Sequence, residues 1–90
     1  MKNYYSTIDH LVMTFSDIER NDYGFEIIIA RFEKEHEDGF YYSEWKLPCI
    51  SNTKSFGFSE EEIFEQERYL RNNATLIWEL AREQEESKIA

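Results

Sequence analysis

The segment FEIIIARFEKEHEDGFYYSEWKL, residues 25–47, decides the fold. Its first eight residues are rich in β-branched and aromatic side chains, which favours a strand from Phe25 to Phe32. A polar turn over residues 35–39 then leads into a second ring-bearing run from Phe40 to Leu47. Two strand-like runs around a short polar turn predict an antiparallel β-hairpin.

Apolar residues occupy both faces of the first predicted strand. Because side chains alternate along a strand, Ile27 and Ile29 lie on one face and Ile28 lies on the other. The second strand divides its rings in the same way, so Tyr41 and Tyr42 point to opposite faces. Both faces of the sheet therefore need cover, either from another element or from a second copy of the chain.

The last third of the chain predicts a long amphipathic helix. Ser59 precedes three consecutive glutamates, which is typical of a capping box with acidic residues in the first turn. The apolar arc is wider than the roughly 100° that one supporting surface requires. Its central stripe contains Ile63, Leu70, Ala74, Ile77 and Ala81. We expect this helix to pack on the sheet and residues 84–90 to fray.

Residues 6–20 place five apolar side chains at helical spacing, which predicts a short N-terminal helix. A strand is the alternative because Leu-Val-Met-Thr-Phe favours β structure, but it would scatter these side chains over two faces. Residues 50–58 predict a loop with a short third strand around Lys54 to Phe58. The expected fold is α+β: a short N-terminal helix, an antiparallel hairpin or three-stranded meander, and the long C-terminal helix, in one small acidic domain over residues 1–90.

Composition restricts the function. A formal net charge of −9 opposes binding to nucleic acid or anionic lipid and suits a basic protein partner. A DNA mimic that occupies a DNA-binding protein is the alternative. With Cys49 the single cysteine, no intramolecular disulfide forms, and the absence of an export leader predicts a cytoplasmic protein. The longest apolar run, Ile27–Ala30, is far shorter than the roughly 20 residues of a membrane span.

The residues that could carry chemistry favour ordinary structural interpretations. His36 lies in a run of acidic residues, but alternation separates neighbouring side chains and no second ligand cluster completes a metal site. His10 is interpreted as a surface histidine and Cys49 as a small buried side chain. Glu26 and Glu44 facing each other across the hairpin would suit a small hydrolase, but we expect no cleft to hold a substrate. The sequence predicts no catalytic, cofactor-binding or metal-binding residues and no enzyme.

The leading prediction is a protein that acts through protein contacts. Its interface combines the aromatic strand with the acidic helix, and the residues assigned to it are Tyr41, Tyr42, Glu61, Glu65 and Glu79. Because both sheet faces and a wide helix arc need cover, we also expect a homodimer.

From Ile27 to Leu70 the order of motifs resembles the HicB-like antitoxin domain. The motifs are a strand, an acidic turn ending in Asp38-Gly39, Tyr41-Tyr42, Leu47-Pro48-Cys49, and Gly57-Phe58-Ser59-Glu60-Glu61 before a helix. The glycine that follows Leu-Pro in that family is absent, residues 1–24 have no counterpart, and no DNA-binding segment follows. The resemblance implies a partner-binding module without the DNA-binding half, and it transfers no site residues.

Overall fold

The computed structural model describes residues 2–37 and 39–89, in which six strands form one antiparallel sheet and a single helix covers one face. The strands are β1 (Lys2–Ile8), β2 (Leu11–Ser16), β3 (Glu19–Arg20), β4 (Glu26–His36), β5 (Gly39–Leu47) and β6 (Ser51–Phe56), and the helix is α1 (Glu60–Ile89). Asp38, in the predicted acidic turn, lies outside the described residues.

The sheet is a meander in which neighbouring strands follow one another in sequence. The order is β1-β2-β4-β5-β6, and β3 pairs with β4 beyond the end of β2. Both β2 and β3 lie along the same edge of β4, so they act as one strand interrupted at Asp17 and Ile18. The predicted hairpin of residues 25–47 is present as β4 and β5, with Ile28 opposite Leu47 and His36 opposite Gly39.

The fold prediction is wrong for residues 6–20, which form strands and not a helix. Ile8 ends β1 and Leu11 begins β2, and the two strands pair across a two-residue turn. Asp9 and His10 both have positive φ, 49° and 68°, which matches the primed turns of tight hairpins. Met13 and Phe15 face the core while Val12 lies on the other face of the sheet, so the apolar side chains of this region do divide between two faces.

The predicted sheet was also too small. The third strand expected around Lys54 to Phe58 is β6, which begins earlier, at Ser51, and pairs with β5. The C-terminal helix is present, and its capping box forms as predicted. The backbone N–H of Ser59 donates to Glu62 Oε1 at 2.9 Å, and that of Glu62 donates to Ser59 Oγ at 3.2 Å.

The core lies between α1 and one face of the sheet. Its buried apolar residues are Met13, Phe15, Ile28, Ala30, Phe32, Trp45, Leu47, Leu70, Ile77 and Ala81. They come from β2, β4, β5 and α1, so the three inner strands carry the helix. Strand β6 is exposed along its whole length and lies outside this core.

Hydrogen bonds fasten the edge strand β1 to α1. Tyr5 Oη donates to Asn73 Oδ1 at 2.6 Å, and the Ser6 and Tyr69 hydroxyls are 2.8 Å apart. Burial, and then the neighbouring Tyr69, raise the pKa of Tyr5 above its ordinary value. The neutral phenol that this pKa favours is the form that donates to Asn73.

A short chain of buried polar groups crosses from the sheet to the helix. Trp45 Nε1 donates to Ser43 Oγ at 3.1 Å, and Ser43 Oγ donates to Gln66 Oε1. Ser43 and Gln66 are the buried polar residues among those described, with 0% and 3% exposure. The chain satisfies groups that would otherwise lose hydrogen bonds on burial.

Replacing Ser43 by alanine should lower the free energy of unfolding by about 1–3 kcal/mol, because Trp45 and Gln66 both lose a buried partner. Ser55, which is exposed and lies opposite Ser43 in β6, is the matched control. Ser55→Ala should stay within about 0.5 kcal/mol of the parent chain. Urea denaturation measures both variants, and equal losses would contradict a stabilising role for the buried chain.

Candidate functional site

A cleft opens between the first half of α1 and the sheet. Its volume is about 400 Å³, which is within the range of ligand pockets. This helix-side cleft is lined by Ser6, Ile8, Asp9, Leu11, Met13, Phe32, Lys34, Phe58, Glu61, Glu62, Glu65, Gln66 and Tyr69. The expectation that the chain has no cleft is therefore wrong. The cleft does not extend into the centre of the core, where Trp45 and Ile77 are fully packed.

The floor of the helix-side cleft is apolar. Met13 and Phe32 are almost completely buried there, and Leu11 is half-buried beside them. Ile8, at the end of β1, keeps half of its side chain exposed and extends the floor toward solvent. An apolar group placed in the cleft would replace water against the exposed surface of Ile8 and Leu11.

The rim of the helix-side cleft is acidic. Glu61 and Glu65 lie one helical turn apart and project from the same side of α1. Asp9 adds a carboxylate from the β1–β2 turn, and Glu62, which caps the helix, adds another. Lys34 is the one basic side chain in this lining, so the cleft carries a formal charge of −3.

The combination of floor and rim suits a cation attached to an apolar group. Carboxylates from two elements converge on one opening, and a cation between them relieves their mutual repulsion. The volume accommodates a few side chains rather than a whole domain. A basic residue flanked by apolar ones, in a loop or strand of another protein, has this chemistry.

The structure places Tyr41 in a supporting position. Its ring stacks on His36 at 4.7 Å between centroids and meets the edge of Phe58 at 5.8 Å. Gly57 lies against the same ring, so close that a β-carbon there would overlap it. Tyr41 therefore holds the segment that leads into α1.

Tyr42 lies on the other side of the sheet, on the face that α1 does not cover, which we call the open face. The Arg31 guanidinium is 4.6 Å from the centre of its ring, and Phe56 stacks beside it at 6.2 Å. Tyr42 cannot share a binding surface with Glu61 and Glu65, which line the helix-side cleft.

The five predicted interface residues do not form one surface. Glu61 and Glu65 lie together, but Glu79 is fourteen residues further along α1, about 21 Å from Glu65. The sequence analysis did not identify Asp9 or Lys34 as cleft residues. It assigned Asp9 to a helix. The apolar residues at every second position, Leu11, Met13 and Phe15, were the sequence signal that could have located the floor.

Other candidate groups have structural surroundings. Among the described residues, no group of three or more His, Cys, Asp or Glu side chains could hold a metal ion. Cys49 is exposed, not buried as predicted, and its Sγ donates to the Lys46 carbonyl oxygen at 3.3 Å. Glu26 binds Arg82 of α1 at 3.0 Å, while Glu44 binds Arg31 on the open face at 3.2 Å. This pair therefore does not face one substrate.

No family model, curated protein or solved structure matches this chain. Over the part of the chain that the structure describes, no helix is both long enough and apolar enough to cross a membrane.

Proposed function

We propose that the chain is a non-enzymatic cytoplasmic protein that binds a basic protein partner through the helix-side cleft. The observation that carries this proposal is the apolar floor beneath carboxylates from two separate elements. The net charge of −9 supports it, since long-range attraction speeds the encounter with a basic partner. The occupant is a short segment of the partner that presents a lysine or arginine next to an apolar side chain.

The floor and the rim have different tasks in this proposal. Burying one large apolar side chain against Ile8 and Leu11, the floor residues that keep exposed surface, contributes about 1.5–3 kcal/mol. An exposed ion pair with Glu61 or Glu65 contributes only about 0–1 kcal/mol. The floor therefore supplies most of the affinity, and the carboxylates select a basic segment and orient it.

The two alternatives have weaker support. A DNA mimic needs unpaired carboxylates gathered on one side, but Glu26, Glu33, Glu44 and Glu67 all pair with arginines, and the acidic residues lie on several sides. An antitoxin-like role, which the resemblance to HicB-like domains implies, is a special case of the proposal in which the basic partner is a toxin.

Neutralising the cleft should abolish partner binding without unfolding the chain. The test variant is Glu61→Gln with Glu65→Gln, and the control is Glu79→Gln with Glu83→Gln, which removes the same charge from the same helix. All four side chains are exposed, so both variants should fold. The partner is captured on the parent chain and identified by mass spectrometry, and its affinity for each purified variant is then measured by calorimetry.

We expect the cleft variant to bind at least about tenfold more weakly than the control. Affinity should also fall as salt rises, because charge attraction is screened. A captured partner that is acidic, or equal affinities for the two variants, would exclude the cleft as the binding site.

A further inference from the structure

The open face presents an apolar and aromatic surface that no described element of the chain covers. One row of paired residues crosses it from β1 to β6: Thr7, Val12, Glu33, Tyr42 and Phe56. Phe56 and Phe40 are 61% and 59% exposed, and Ile29 is half-buried in the middle of β4. Exposed apolar patches of this kind mark interaction surfaces.

The charges on the open face nearly cancel. By register, its described charged side chains are Arg31, Lys46 and Lys54 against Glu19, Glu33, Glu35 and Glu44. These charges sum to −1, so the face carries little of the chain's net charge of −9. The acidic excess lies on the helix-side cleft, on α1 and in the turns.

The central charges of the open face already have partners. Arg31 is 2.9 Å from Glu33 and 3.2 Å from Glu44, and its guanidinium stacks on Tyr42. Covering this cluster would bury no lone charge, which is the condition under which an ionic group tolerates an interface.

The sheet edges are poor sites for association. The pairing of β1 with β2 shifts between Tyr4 and Ser6, and that of β5 with β6 shifts between Glu44 and Trp45. Irregularities of this kind twist an edge away from further strand pairing. Contact through the face of the sheet is therefore favoured over contact through its edges.

We infer that the open face is the interface of a symmetric homodimer, in which two sheets pack face to face. A second copy also carries −9, so it meets the least repulsion at the face that carries the smallest share of that charge. A basic partner would instead be drawn to the acidic side of the molecule. In size, five neighbouring strands at about 4.8 Å and six or more residues at about 3.4 Å give a face of roughly 500 Å² in projection. Two copies together contribute roughly 1,000 Å², which is the lower limit for a specific interface.

This arrangement is independent of the proposed function. The helix-side cleft lies on the opposite side of the sheet, so a dimer would leave two clefts facing outward. Each copy could bind a partner whether or not the other copy is occupied.

The test is the mass in solution, measured by light scattering across the micromolar range. We expect twice the chain mass of 10.9 kDa for the parent protein. Phe56→Glu and Phe40→Glu place a charge on the open face at exposed positions, so they should fold and shift the dimerisation constant by at least about tenfold. The control is Phe64→Glu, on α1, where the ring is equally exposed at 62%, and it should leave the dimer intact.

Salt separates this inference from the proposed function. Rising salt screens the repulsion between two acidic copies, so the dimer should tighten, whereas binding of a basic partner in the cleft should weaken. A parent chain that stays monomeric throughout the range would overturn the inference. A dimer that dissociates in the Phe64→Glu variant but persists in the Phe56→Glu variant would also overturn the inference.

Discussion

Replacing Ile77 by alanine should lower the free energy of unfolding by about 2–5 kcal/mol. Ile77 has no exposed surface and lies in the stripe of α1 that packs on the sheet. The loss combines the transfer of its methyl and methylene groups to water with the cavity that the smaller side chain leaves. Replacing any glutamate of α1 would remove less buried apolar surface than this variant removes.

Leu76→Ala is the matched control because it removes a side chain of the same size from the neighbouring position of the same helix. Leu76 is 47% exposed, so its loss should stay below about 1 kcal/mol. Thermal and urea denaturation of the two variants give the comparison. If Leu76→Ala proved as destabilising as Ile77→Ala, the assignment of the inner face of α1 would be incorrect.

Gly57→Ala should destabilise the chain by about 2–5 kcal/mol, for two separate reasons. Gly57 has φ of 90°, a conformation that disfavours a side chain by about 1–2 kcal/mol. A β-carbon at this position would also overlap the Tyr41 ring, and such overpacking adds about 1–3 kcal/mol. The clash is serious because the ring is held between His36 and Phe58.

Gly24→Ala separates the two causes. Gly24 has nearly the same φ, 84°, but a β-carbon there would meet no atom within 4 Å. It should therefore show the backbone strain alone, about 1–2 kcal/mol. The difference between the two variants measures the contact with Tyr41, and a difference of zero in chemical denaturation would mean that the ring moves aside freely.

The parts of the fold that sequence predicted depend on short-range signals. The hairpin of residues 25–47 combines two runs of β-forming residues with a polar turn, and the start of α1 has a capping box that needs only Ser59 and Glu62. In each case the deciding residues are near one another in the chain. Local backbone preferences therefore made these two parts of the fold predictable.

The N-terminal region was mispredicted because its spacing fits both kinds of structure. Leu11 and Phe15 are four residues apart, which puts them on one side of a helix and also on one face of a strand. Met13 is the residue that distinguishes the two, because it joins them only in a strand. It is 99% buried with the core, whereas Val12 and Thr14 point to the open face.

The helix-side cleft could not be predicted from the sequence. Asp9 and Glu61 are 52 positions apart, and no local pattern indicates that a turn and a helix will meet. The small net charge of the open face is equally hidden, since it depends on the register of four strands, β3 to β6. The sequence did indicate that Glu61 and Glu65 would take part in binding, which stays a prediction.

The bonds that tie β1 to α1 have a consequence for the order of folding. Tyr5 and Ser6 meet side chains that follow them by 68 and 63 positions, so the first strand finds its partners only when most of α1 exists. Contacts between such distant parts of a chain form late and slow the search for the native state. On the ribosome, the sheet therefore remains bare on its inner side until the last third of the protein has emerged. A nascent chain that stops before that point exposes Phe32 and Trp45, and chaperones recognise apolar surface of this kind.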